Sequence, residues 1–329
     1  MVDVSVVICA YTFDRWEELK AAVASVRAQS HQPREIIISV DGNEPLCQRA
    51  ALEIEGAMVV LNTKLPGLSG TRMTGTAVAT APVIAFLDDD AIAEENWLEE
   101  LLDAYQDDRV LGAGGYIEPL WISPRPAWFA PEYNWVVGCT YDGMQVRDQR
   151  VRNLMGANMS VRADVLRRAG GFTTALGRRE QGRSARITAQ SCEETEFCIR
   201  ASRLYPKGVW AYRAKARVKH RVLAQRTTWR YFVYRCAMEG TAKAVLIDLT
   251  GAKAGLGSAR HYVLKVLSKA VLREIGGALH GRLGSVGRAG AICAGLAITS
   301  FAYARTRLAL TREKSWKVLA RAPATRSIR

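Results

Sequence analysis

The stretch VIAFLDDDA, residues 83–91, runs an apolar segment straight into three consecutive aspartates. Neighbouring like charges repel, and a buried carboxylate is costly unless something pairs with it. A solvated turn between a strand and a helix expected over residues 94–105 would accommodate them, with Asp89 capping that helix. A divalent cation would use them, because Mg2+ is held by one or two carboxylates together with substrate phosphates. Working outward, the same kind of apolar run recurs. VSVVICAY (4–11), EIIISVD (35–41) and MVVLN (58–62) suit strands buried on both faces. Between the first two, Asp14 and Glu17 read as a capping signal, and Leu19, Ala22, Val23 and Val26 recur at helical spacing. A further helix is expected over 69–80. Strand and helix alternating in this way predict an α/β fold, a mostly parallel sheet with helices on its faces.

The 329 residues carry a net charge of +14, and its distribution is uneven. Residues 1–220 hold 26 Lys and Arg against 28 Asp and Glu, whereas residues 221–329 hold 20 against 4. The division places an ordinary soluble domain at 1–220 and a basic, helical region at 221–329. The seven cysteines are odd in number and include no CxxC pair, which points to reduced thiols and a cytoplasmic protein. MVDVSVVICAY lacks the basic region and the cleavage site of a signal peptide, and reads as a first strand.

Beyond residue 110 the pattern changes. A strand is expected at Gly112–Gly115, then an aromatic, proline-rich loop with Trp121, Trp128 and Trp135, whose rings suit packing better than sugar stacking. Residues 153–172 read as strand, turn and a short helix stopped by Gly170 and Gly171. GRREQGRSARITAQS (177–191) is polar and aperiodic, a loop, and CEETEFCIR opens another helix.

Ligands of open parallel sheets bind beyond the carboxyl ends of the strands. Ala10 and Tyr11, Asp41, and Asp88 to Asp90 all reach that edge. No GxGxxG and no GxxxxGK[ST] follows the first strand, which removes the main support for a dinucleotide fold or a P-loop. An aromatic able to stack on a base, an acid able to accept from a base N–H, and a carboxylate cluster remain. Together they favour a metal-bridged nucleoside diphosphate.

These residues resemble the family 2 glycosyltransferases of the GT-A fold. The resemblance is carried by SVVICAYTFDR, the helix ending near VRAQS, EIIISVDGN, GLSGTRMTG, VIAFLDDDA, GANMSVRADVLRRAGGF and CEETEFCIR, about 200 residues in the family's order. It implies an inverting transferase that moves one sugar from a nucleotide-diphosphate donor, a UDP-sugar, to an acceptor hydroxyl, with Mg2+ or Mn2+ as cofactor. Ala10 and Tyr11 would then line the base pocket and Asp41 would read uracil. Arg72 would lie against the nucleotide, Asp88 and Asp89 near the donor, and Asp90 on the metal. The family's late acidic pair falls on Glu193 and Glu194, which makes Glu194 the catalytic base. His220 stands where many GT-A enzymes keep a histidine facing the metal or the diphosphate, and loop cations near Arg178 would help the leaving group. Thr12 replaces the usual Asn, Thr71-Arg72-Met73 replaces Ala-Arg-Asn, and Glu194 replaces Asp. The QxxRW motif of processive synthases has only QRTTW (225–229) as a partial match, which favours single-sugar transfer. A nucleotidyltransferase would share the sheet and the metal but needs a basic, Gly-rich loop after strand one. A degenerate, membrane-binding protein would not keep Asp41, Asp88, Asp90 and Glu194 all acidic.

The basic third mixes Lys and Arg with apolar residues, as in RHYVLKVLSKAVLREIGGAL (260–279). AICAGLAITSFAYA (291–304) offers about 14 uncharged residues, short of the roughly 20 that span a bilayer. Such helices suit an anionic membrane surface on the inner face of the cell membrane, with Tyr262, Val263, Val266 and Leu267 as inserting side chains. A packed helical subdomain suits them equally. Nucleic acid is not expected, because no binding motif accompanies the charge. The acceptor could be a cell-envelope glycan, a polyprenyl-linked molecule or a small molecule.

Overall fold

The computed structural model describes residues 2–63, 66–144, 147–176, 191–255, 257 and 259–312. They form two compact units. The first comprises the described residues of Met1–Glu118, Gln145–Arg183 and Glu193–His220, and the second those of Pro119–Met144, Ser184–Cys192 and Arg221–Arg329. The expected loop at 177–191, with Arg178, lies outside the described residues except for Ser191.

The first unit is built on a sheet of nine strands. They are β1 (Val4–Ala10), β2 (Glu35–Asp41), β3 (Met58–Asn62), β4 (Val83–Asp88), β5 (Ala91–Ala93), β6 (Val110–Trp121), β7 (Gln149–Val151), β8 (Asn158–Arg162) and β9 (Val209–Val222). Their order is β3-β2-β1-β4-β8-β6-β9-β5, with β7 on β9. The first four strands are parallel, which agrees with their unbroken apolar runs. The other half is antiparallel, through β4 with β8, β6 with β8, and β5 and β7 with β9. The result is a mixed α/β sheet. Helices α1 (Trp16–Arg27), α2 (Glu44–Glu53), α3 (Leu68–Val78), α4 (Trp97–Asp103), α5 (Ala163–Arg168) and α6 (Glu193–Leu204) flank it.

Local chemistry explains several boundaries. Thr12, rather than Asp14, caps the chain's entry: its Oγ1 accepts from the Asp14 N–H at 3.2 Å, ahead of a 3-10 turn that runs into α1. The segment expected to be one helix at 94–105 begins only at Trp97, because the Glu94 N–H, just past β5, still donates to the Arg217 carbonyl at 3.0 Å and Asn96 takes the cap position. Asp89 therefore caps no helix. Asn158 ties the two halves of the sheet together. Its Oδ1 accepts from Trp97 Nε1 at 2.8 Å, and its Nδ2 donates to the carbonyls of Ala216 and Tyr116. Val7, Ile37, Phe86, Met159, Phe197 and Trp210 fill the core beneath.

The second unit is helical, with α7 (Trp229–Thr250), α8 (Ala252–Gly255) and α9 (Ala259–His261). A π-helical stretch, Tyr262–Leu267, leads on to α10 (Ser268–Leu279), and α11 (Ser285–Arg312) follows. Trp121, Trp128, Phe129, Tyr133, Trp229 and Phe232 pack ring against ring, the packing expected for the tryptophan-rich loop. Helices α7 and α11 approach closely. A Cβ on Gly240 would stand 2.2 Å from the Thr299 carbonyl oxygen, and Thr299 Oγ1 donates to the Cys236 carbonyl at 3.2 Å. The uncharged run at 291–304 is part of a longer segment, Ser285–Thr311, whose most apolar stretch of 18 residues has a mean hydropathy of 1.3. By length and composition it is sufficient to cross a membrane, which revises the expectation drawn from the uncharged run alone. All seven cysteines are free thiols.

Candidate active site

The carboxyl ends of β1, β2 and β4 bring Ala10 and Tyr11, Asp41, and Asp88 to one edge of the sheet, because the three strands are parallel and in register. Tyr11 is 39% exposed there, whereas Ala10 is buried. Asp41 already has work within the protein. Its Oδ1 accepts from Asn62 Nδ2 and its Oδ2 from the Gly67 N–H, both at 2.8 Å. It thereby fixes the entry to α3, where Gly67 takes a φ of 101° that other residues adopt only under strain.

The aspartate run divides its labour. Asp88, Asp90 and His220 offer one ligand atom each, all within 4.8 Å of one another. His220 arrives from β9, whose antiparallel ladder sets it opposite Ala91, beside Asp90. Its Nε2 is 3.2 Å from Asp90 Oδ1. Asp89 turns the other way, into a buried pair with Arg15 at 2.6 Å, and Arg15 also reaches Asp90 Oδ2 at 3.2 Å. Burial first, then the neighbouring aspartate charges, raises the Asp89 carboxyl above its ordinary range, with Arg15 opposing. Two carboxylates and an imidazole converging at this spacing offer two hard oxygen donors and one borderline nitrogen, a set that could hold a divalent metal ion.

Beside this cluster sits a second one. Arg72 of α3, only 2% exposed, places Nη1 2.9 Å from Glu194 Oε1 and 3.4 Å from Glu193 Oε1. Its Nη2 is 3.7 Å from Asp88 Oδ1, and the rings of Phe86 and Phe172 lie under the guanidinium. So buried a cation is stable only because the acidic side chains of Glu194, Glu193 and Asp88 answer it. Arg72 thus links the acidic pair of α6 to Asp88, the first aspartate of the cluster with Asp90 and His220. Burial and then the charge of Glu194 hold the Glu193 carboxyl well above the usual carboxylate range, and a hydrogen bond to Glu194 favours its protonated form further. Glu193 is the member of the pair that keeps a proton toward neutral pH, which relieves the repulsion between the two acids.

The resemblance set Asp88 near the donor; the structure groups it with Asp90 and His220, which the spacing of Asp88 and Asp90 could have signalled. Two further features had no sequence expectation attached: Arg15, quoted only as part of a motif, and Gly156. A Cβ there would lie 1.9 Å from Glu194 Oε1 and 2.3 Å from Arg72 Nη2. The absence of a side chain is what lets the ion pair form. Gly156→Ala is therefore expected to push Arg72 and Glu194 apart and lower turnover by about 10²-fold, the usual effect of misplacing a catalytic group by about an ångström. Overpacking would cost roughly 1–3 kcal/mol of stability. Parallel assays of turnover and thermal melting check this; unchanged turnover would show that the pair's geometry does not matter.

The profile of the family described as "Glycosyl transferase family 2" matches residues 5–170, the span that carries β1 to β4, Arg72 and the aspartates. The chain belongs to that family. This family 2 glycosyltransferase is 34% identical to a glucosyl-dolichyl phosphate glucuronosyltransferase of Haloferax volcanii over 247 residues, 74% of this chain and 77% of that protein. Among solved structures it resembles a mannosyltransferase from Pyrobaculum calidifontis in complex with GDP-Man and Mn2+. That match covers 97% of this chain and 84% of the other, with a TM-score of 0.53 and 15% identity. It also resembles GalNAc-T7 with UDP, GalNAc and Mn2+, over 72% of this chain and 47% of that chain, with a TM-score of 0.49 and 16% identity. The family 2 glycosyltransferase thus has a GT-A-like sheet followed by a helical C-terminal region.

Proposed function

We propose that this enzyme transfers a single sugar from a UDP-sugar to the hydroxyl of a lipid-linked, polyprenyl-type acceptor, with inversion and with a divalent metal. The observation that carries the proposal is the adjacency of two clusters, Asp88, Asp90 and His220 on one side and Arg72, Glu193 and Glu194 on the other, joined through Arg72 and Asp88. The lipid-linked acceptor is supported by the name of the Haloferax relative.

Asp88, Asp90 and His220 would hold the metal, which when bound would neutralise charge on the departing diphosphate. Tyr11 would stack on the base and Asp41 would accept from its N–H. Glu194 would take the proton of the acceptor hydroxyl as that oxygen bonds to the anomeric carbon and the bond to the diphosphate breaks. One displacement inverts the centre and needs no covalent intermediate. Arg72 would position Glu194, and Glu193, holding its own proton, would keep the base from facing a second negative charge.

The test is a thermal-shift screen of nucleotide sugars with Mn2+ and with chelator. UDP-sugars should stabilise the protein, and chelation should remove most of that effect. Stabilisation by GDP-sugars alone would overturn the uridine reading, and indifference to chelator would overturn the metal. A second measurement isolates the base reader. Asp41→Asn keeps the shape but loses the charge, so UDP affinity should fall about tenfold to a hundredfold, with GDP affinity unchanged. Equal UDP affinity in variant and parent would confine Asp41 to its contacts with Asn62 and Gly67.

A further inference from the structure

An ordinary surface helix hides its apolar stripe and shows its charges. The helix formed by Tyr262–Leu267 and α10 does the opposite. Leu267, Ala270, Glu274 and Gly277 face the protein. On the opposite side Leu264, Leu272, Ile275 and Leu279 are 66%, 69%, 48% and 83% exposed. The last three follow i, i+3, i+7 spacing, and the wider π-helical turn keeps Leu264 on the same side. This changes the side chains expected to insert. Tyr262 Oη donates to the Glu132 carbonyl at 2.7 Å, Val266 packs against Gly143, and Leu267 is buried.

The apolar ridge is flanked by charge of one sign. Lys265 and Lys269 are exposed on the same stretch of helix, and Arg282 is exposed just beyond it. The single acid between residues 259 and 282, Glu274, lies on the buried side and is bound by Arg273 and Arg288 at 2.8 Å. Exposed leucines disfavour water, and uncompensated cations favour an anionic partner. An anionic bilayer satisfies both, because acyl chains take the ridge while headgroups take the lysines. A second copy of this chain would bring its own cations to the same contact and would be repelled.

We infer that the ridge Leu264, Leu272, Ile275 and Leu279, with Lys265 and Lys269, lies in the plane of an anionic lipid surface and docks the enzyme there. This deepens the reading of a lipid-linked acceptor, but binding is measured without turnover, so the two can fail separately. The experiment is flotation of the full chain with vesicles of phosphatidylcholine alone or mixed with phosphatidylglycerol. The parent should bind the mixed vesicles, and salt should weaken that binding. Lys265→Gln with Lys269→Gln should lower affinity on the order of tenfold and flatten the dependence on phosphatidylglycerol. Leu272→Gln with Leu279→Gln should lower it about a hundredfold on every vesicle. Both pairs are exposed, so melting should stay near the parent's, as should turnover with a short, water-soluble prenyl phosphate acceptor. Parent-like flotation of the leucine variant would overturn the proposal. So would a parent that is dimeric by sedimentation and becomes monomeric in the leucine variant with lipid binding intact, because the ridge would then be a self-contact.

Discussion

Asp90→Ala is expected to lose turnover by at least about 10³-fold and to make nucleotide binding indifferent to chelator. A metal that neutralises a leaving diphosphate supplies several kcal/mol, and each 1.4 kcal/mol is worth about tenfold in rate. Asp90 is the hub of the proposed site. It is 3% exposed, Oδ1 faces His220 Nε2 and Oδ2 faces Arg15, each at 3.2 Å. Asp88 and His220 remain in the variant, but two donors from strands on different parts of the sheet make a weak site for an ion that demands near-ideal octahedral geometry. Removing Asp90 also frees Arg15 to bind Asp89 alone, so the fold should survive, and a thermal melt verifies that. The decisive measurement is UDP titration of parent and variant with Mn2+ and with chelator. The parent should lose affinity when chelated. A variant whose UDP affinity remains as chelator-sensitive as the parent's would place the metal on other residues.

What the sequence made legible, and what it hid, follows from how far each feature reaches along the chain. The parallel half of the sheet was legible because strands buried on both faces must be apolar throughout, and β1, β2 and β4 leave no other reading for their runs. The site's edge followed, since parallel strands carry their carboxyl ends together. The pairing of β5 with β9 was not legible. It joins residues 91–93 to 218–220 by an antiparallel register, and three residues of alternating burial carry almost no periodic signal. His220 could be named from the resemblance alone; its place beside Asp90 needed that register. The role of Arg72 was hidden for a related reason. The resemblance set Arg72 against the nucleotide, but nothing local to α3 announces an ion pair, and only the acids brought by α6 from 121 residues away make its burial tolerable. The face of α10 was hidden by the backbone itself, because a π-helical segment breaks the 3.6-residue period on which any reading of amphipathic faces depends.

The acidic pair of α6 gives the sharpest contrast between neighbours. Glu194→Gln keeps the side chain's size and its hydrogen bond to Arg72 but removes the proposed proton acceptor, so turnover should fall about 10²- to 10⁴-fold with donor affinity nearly unchanged. Glu193→Gln replaces a carboxyl that already holds its proton toward neutral pH, so turnover should stay within about tenfold of the parent's. The same substitution should change the pH dependence of stability, and the sign is fixed. Burial holds the folded Glu193 pKa above the ordinary 4.5, so between those two values the folded protein binds more protons than the unfolded chain. Stability is therefore lost as pH rises from the carboxylate range toward and through neutrality, and Glu193→Gln should abolish that part of the loss. Melting curves from about pH 5 to about pH 8 should converge at the acid end, with the variant ahead at the alkaline end. Had the two glutamates exchanged roles, the Glu193 variant would lose turnover and the Glu194 variant would carry the stability gain. That paired outcome would move the base by one residue, to the side chain buried deeper against Arg72.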